Sequence, residues 1–297
     1  MKKTKGYIRF ITLGVIPAFI LYIVFMVIPT ISVFVDSLFR TGGLSGKREF
    51  IGLQNYVTMF NDNQFIRSFQ NTVFLIVIVT IVTMVMAIFF ASVFTKENLK
   101  GTTFYRIVFY VPNILSIAVV GSVFATVFGS SDGLINGIGN LLSPDNWSNT
   151  QFLGDKNLVI YSVAFAMVWQ AVGYYMVMYM STMSQIPASL YEAADLDGAG
   201  KLSQFFNITM PLTWETIRTT LTFYIISNIN IAFQLVTVLT SGGPNGASMT
   251  LLNFQYHEAY TNSAFGYGMA IGVITFLFSF ILSAVVHNVT KRDVITY

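Results

Sequence analysis

No cysteine occurs among the 297 residues, so disulfides, thiolate metal sites and iron–sulfur clusters are excluded. Charge is nearly as scarce, at 10% of residues, against roughly 25% in an average soluble domain. Only two histidines are present, His257 and His287, too far apart in sequence to suggest a metal or acid–base pair. Asp195 and Asp197 alternate within one polar loop, which does not suit an aspartyl-type protease. Gly46-Lys47 lacks both the earlier glycine and the following Ser or Thr of a phosphate loop. No catalytic residue and no metal ligand is therefore assigned, and the chain is not expected to hydrolyse ATP by itself. The net charge is +3 without any extended basic cluster, so nucleic acid is not an expected partner.

What the chain has is apolar length. It is 54% hydrophobic, and its charges leave six long gaps: Arg9 to Asp36, Arg67 to Lys96, Arg106 to Asp132, Lys156 to Glu192, Arg218 to Glu258 and Glu258 to Lys291. Each gap holds at least 25 residues, enough to cross a hydrocarbon core of about 30 Å at about 1.5 Å per residue. The expected fold is all-α: one polytopic membrane domain, 1–297, with helices at about 11–35, 70–94, 106–128, 159–182, 216–240 and 266–289. The first apolar run is longer than a signal-peptide core and lacks a small-x-small cleavage site, so it reads as a retained anchor. Six spans put both termini on one side. With that side cytoplasmic, 11 of the 16 Lys and Arg residues lie inside, as the positive-inside rule asks.

The connection 183–215 then falls in the cytoplasm and differs from the other loops. Pro187 suits the first turn of a helix, and Ala188 to Leu196 are mostly good helix formers. Gly198 and Gly200 offer a stop, and Lys201 to Met210 begins a second helix that Pro211 ends or bends. Leu190, Ala193, Ala194 and Asp197 share a narrow face of small side chains. Another protein can approach such a face closely, and a short helix lying across span ends can pass on a push. Capping of helix ends is the plainer reading of the same residues.

The run Pro187-Ala188-Ser189-Leu190-Tyr191-Glu192-Ala193-Ala194-Asp195-Leu196-Asp197-Gly198-Ala199, followed by Ile208-Thr209-Met210-Pro211-Leu212, resembles the Glu-Ala-Ala signature of carbohydrate ABC importer permeases. Met210 stands where that family usually has Leu, a swap that keeps apolar volume. Gly52-Leu53-Gln54-Asn55-Tyr56, Asn71-Thr72, Gly133-Leu134-Ile135-Asn136, and Thr240-Ser241-Gly242-Gly243-Pro244 with Thr250 extend the match, the last being similar to maltose F-type subunits. The resemblance implies a type I importer fold with a cytoplasmic coupling helix in a bacterial plasma membrane. It implies a second, homologous permease, two ATPase subunits that carry ATP and Mg, an extracellular solute-binding protein, and a carbohydrate substrate. Glu192, Ala193, Ala194, Asp197, Gly198 and Pro211 become the candidate ATPase-coupling residues.

Polar side chains inside spans are costly unless they meet partners, water or substrate. The fourth span carries Gln170 and Tyr174, and the fifth carries Tyr224, Asn228, Asn230 and Gln234. Aromatic faces and amides suit a sugar, which makes these six the candidate substrate path. The alternative is that the amides tie helices together and the tyrosines pack. By the resemblance, Tyr174 and Asn228 fall on positions associated with substrate contact. Import of a non-sugar solute remains an alternative, as does an ion-coupled carrier, although six charge-free spans speak against the latter. The topology has a direct test. Cysteines introduced at Ser45, Asn146 and Asn245 should react with impermeant thiol reagents outside sealed cells, and one at Ser203 should not.

Overall fold

A computed structural model describes residues 5–42, 48–96, 101–144 and 147–292. Ser45 and Asn146 of the labelling scheme lie outside the described residues, as does the short connection 97–100. Five helices are long and apolar enough to cross a membrane: Phe10–Asp36, Asn63–Thr95, Val159–Met183, Lys201–Leu239 and Phe265–Val289. A bent pair, Thr102–Ile114 with Ile117–Val127, makes a sixth if counted as one span. The chain divides into two compact units, one of residues 1–63 with 254–277, the other of residues 64–253 with 278–297.

In the first unit, α1 (Lys5–Tyr22) continues through a π-helical turn, Ile23–Val27, into α2 (Ile28–Asp36). Pro29 explains the turn. Proline has no N–H and its ring collides with the carbonyl four residues back, and widening the preceding turn relieves both problems. The most apolar stretch of this rod is entirely uncovered by the chain. A hairpin follows, β1 (Phe39–Thr41) paired antiparallel with β2 (Arg48–Phe50). Arg48 lies 4.0 Å over the Phe39 ring and reaches Asp36 at 2.6 Å. After α3 (Gln54–Phe60), buried Asn55 donates to the carbonyls of Ser37 and Phe39 at 2.7 and 3.1 Å. Tyr267 closes the unit by donating to Asp62 at 2.8 Å.

The second unit is built around α8 (Val159–Met183), two thirds of whose most apolar window is buried. Its core includes Val163, Met167, Met176 and Tyr179, packed with Leu75 and Val79 of α4 (Asn63–Lys96) and Leu235 of α11 (Met210–Leu239). The single straight span expected at 106–128 is two helices, α5 (Thr102–Ile114) and α6 (Ile117–Val127), meeting at 102°. Pro112 removes the donor that the carbonyl of Val108 would take, and Leu115 and Ser116 turn extended. Ser116 then caps α6 by accepting from the N–H of Val119. Gly173 lets α5 lie directly on α8, since a Cβ there would run into the carbonyl of Phe109. The second loop helix and the fifth span, expected as separate pieces, are one rod: α10 (Lys201–Gln204), a π turn at Phe205–Thr209, then α11. Pro211 does not end the rod, and a π turn precedes it by one residue, as the turn at Ile23–Val27 precedes Pro29.

The loop after α6 is held by one side chain. Asn136, fully buried in α7 (Leu134–Leu142), donates to the carbonyls of Gly129, Ser130 and Thr150. Its oxygen accepts from Trp147 and from the N–H of Thr150. Asn136→Ala strands those partners, and a buried unsatisfied group costs about 1–3 kcal/mol. Thermal unfolding of the purified variant in detergent should show a clear drop in Tm, while Asn140→Ala, at an exposed pair with Asn149, should not.

Candidate coupling and substrate-path residues

The motif loop folds as its composition asks. Pro187, at φ −58° and ψ 133°, opens α9 (Ala188–Leu196), and Gly198, at φ +76°, closes it. The N–H of Ala199 reaches the carbonyl of Ala194, and that of Gly198 the carbonyl of Asp195, which completes a Schellman stop. Gly198 is needed for this left-handed backbone and not for space, since a Cβ there would meet nothing within 4 Å. Glu192, Ala193, Asp197 and Gly198 are exposed, Ala194 is half-buried, and Pro211 sits half-buried in the first turn of α11. Leu196 was not singled out from sequence and is 90% exposed. Its signal was present all the same, as a large apolar residue between two aspartates.

The six intramembrane candidates separate into two groups. Asn228 is fully buried and donates to Thr80 at 2.9 Å, with its amide oxygen unpartnered. Tyr224, 1% exposed, bonds the Thr83 hydroxyl at 3.1 Å and packs on Tyr175 with ring centroids 4.6 Å apart. Gln170 is buried, also with an unpartnered oxygen. These three lie inside the second unit, between its own helices. Tyr174, Asn230 and Gln234 lie on the surface. Tyr174 is 37% exposed, stacks against Tyr110, and lines a cleft of about 520 Å³ with Arg106, Ile107 and Ser181. Asn230 and Gln234 belong to an exposed stripe of α11 that also carries Ser227 and Thr237. Among the described residues no cluster of His, Asp and Glu is able to hold a metal ion.

The profile of the binding-protein-dependent transport system inner membrane component family matches residues 84–292. The chain belongs to that family. It is therefore a membrane-spanning permease subunit of an ABC importer. It is 34% identical to a probable ABC transporter permease, YurN, of Bacillus subtilis (strain 168), over 91% of this chain and 92% of that one. It is 27% identical to NgcF of Streptomyces coelicolor, the permease of a diacetylchitobiose uptake system, over 91% of this chain and 79% of that one. The fold is shared with a bacterial alginate ABC transporter solved with an alginate pentasaccharide-bound periplasmic protein. That match has a TM-score of 0.84 at 21% identity and covers 97% of this chain and 96% of the other.

The permease assignment gives the buried amide a decisive test. If Asn228 ties α11 to α4, Asn228→Ala should lower stability by about 0.5–1.5 kcal/mol, the net worth of one hydrogen bond. Replacing both partners, as Thr80→Val with Asn228→Leu, should recover much of that loss and restore uptake. Uptake that stays low in a stable double variant would make the amide part of the substrate path.

Proposed function

We propose that this permease imports an oligosaccharide and receives the force for doing so through α9. The observation that carries the reading is the exposed motif helix. Glu192, Ala193 and Leu196 are exposed on a short, capped helix. A small-residue surface with one bare leucine suits a cleft on an ATPase, and the rigid cap at Gly198 keeps the helix from unwinding under load. Two ATPase copies, with ATP and Mg, a second permease and an external binding protein complete the machine. The charge distribution favours cytoplasmic termini and a cytoplasmic α9.

The substrate class rests on chemistry and on relatives. A helix that carries Ser227, Asn230, Gln234 and Thr237 on its open face is poorly matched to lipid tails. Neutral amides and hydroxyls donate and accept hydrogen bonds, as polyhydroxylic ligands require, and carry no charge to select an ion. Tyr174 adds an aromatic face. The similarity to a diacetylchitobiose permease and to an alginate transporter supports the same class. Asn230, Gln234 and Tyr174 are accordingly assigned to the path, with Asn228, Tyr224 and Gln170 as its inner support.

The test uses the complete transporter in proteoliposomes. Gly198→Asp and Glu192→Lys should leave the subunit inserted and assembled but abolish uptake of the transported oligosaccharide. Asn230→Ala with Gln234→Ala should cut uptake by about tenfold or more, the scale of two lost hydrogen bonds, while ATP hydrolysis persists. Wild-type uptake in the loop variants would refute the coupling role. Unchanged uptake in the double amide variant would remove the α11 stripe from the path.

A further inference from the structure

The coupling helix could hand its motion to α8, which leads into it, or to α11, which follows it. We propose that Gln204 is the positioning residue that fastens α9 to the head of the α11 rod, so that both move as one piece. The inference rests on the coupling role of α9 and deepens it.

Gln204 is buried although it lies in a loop of mostly exposed residues. Its amide nitrogen donates to the Asp195 carboxylate and, at 3.0 Å, to the carbonyl of Ala199. One side chain thus holds the last turn of α9 and the segment beyond its glycine stop. A bond from a neutral amide to a carboxylate is of the stronger, charge-assisted kind. Five residues further along the same rod, Thr209 is buried and meets the Tyr191 hydroxyl at 2.9 Å. Two ties, one near each end of the π turn, therefore bind α9 to the rod at separate points. Two points of attachment suppress the pivoting that a single bond would allow.

α9 also faces the ends of α4 and α8. There Tyr191, Asp195, Gln204 and Thr209 border a cleft of about 740 Å³, whose far wall includes Ser92, Thr95 and Ser184. The chain enters α9 through extended Pro187. The two ties hold α9 on the head of the rod, so a displacement of α9 is passed to α11.

The test reconstitutes the full transporter, with cysteine-free partners, and reads molecules imported per ATP hydrolysed. Gln204→Ala should lower this ratio by about fivefold or more, the scale of a lost hydrogen bond to a charged group, with assembly and hydrolysis retained. Asp195→Ala removes the acceptor at an exposed position and should have the same effect, so the proposal stays testable should Gln204→Ala fold poorly. The decisive arm is rescue. Asp195→Cys with Gln204→Cys should uncouple, and bridging the two thiols with a short crosslinker should restore the ratio at least halfway. A merely structural role would move yield and Tm but not this ratio. An unchanged ratio in Asp195→Ala, or a bridged pair that stays uncoupled, would overturn the proposal. Gly198→Asp serves as the reference: if it transports normally, the coupling role itself fails; if it does not transport while Asp195→Ala does, only the Gln204 tie fails.

Discussion

Backbone carbonyls without water are the constraint on which this structure depends. In a helix each carbonyl has its own donor, but every loop and every proline in an apolar chain leaves some without one. Here the shortfall is met by a few asparagines, each serving several carbonyls. Asn55 serves Ser37 and Phe39, Asn136 serves Gly129, Ser130 and Thr150, and Asn71 serves Ala247 and Met249 at 3.0 and 2.9 Å. Asn253 reaches back to the carbonyl of Phe233 and the hydroxyl of Thr237. The amide is the right group for this work. It carries two donors and an acceptor without charge, so burial costs little once all are used.

That economy explains why the family resemblance extends beyond the coupling motif. Gly-Leu-Gln-Asn, Asn-Thr and Gly-Leu-Ile-Asn each contain one of the stitching asparagines, and Thr72 caps α12 (Leu251–Tyr256) by accepting from the N–H of Leu251 at 2.9 Å. Segments more than 170 residues apart, Asn71-Thr72 and the loop after Gly-Gly-Pro, meet for this reason. The motifs outside the coupling loop are therefore largely scaffold. Recognising them identified the fold, while their part in it became visible only from the partners they hold.

How much could be read in advance follows the same division. Apolar runs and missing charges located the spans, because length and hydropathy are local properties. Pro187 and Gly198 marked the ends of α9 for equally local reasons. The break within 106–128 was also written locally, in Pro112 and Ser116, but an uninterrupted apolar run concealed it. Which face a residue presents was not local. Asn228 and Asn230 are two positions apart on one helix, with similar chemistry and opposite surroundings, since one meets Thr80 and the other is exposed. Helical spacing sets Asn230 beside Gln234 and Asn228 beside Tyr224, but it does not tell which stripe turns inward. That depends on α4, whose Thr80 and Thr83 supply the partners.

The π turn at Phe205–Thr209 has a geometric consequence. Such a turn accommodates one residue more than an α turn, and one residue corresponds to about 100° of rotation about the axis. The face of the rod that holds α9, through Gln204, and the face that carries Asn230 and Gln234 lie on opposite sides of this extra residue. Their angular relation is therefore set by it. Shortening the turn by one residue would leave the polar stripe where α4 holds it, through Thr80 and Thr83, yet turn the head of the rod, with Gln204, by about 100° away from α9. The angle between the α9 attachment and the amide face thus depends on a five-residue segment that contributes nothing to that face.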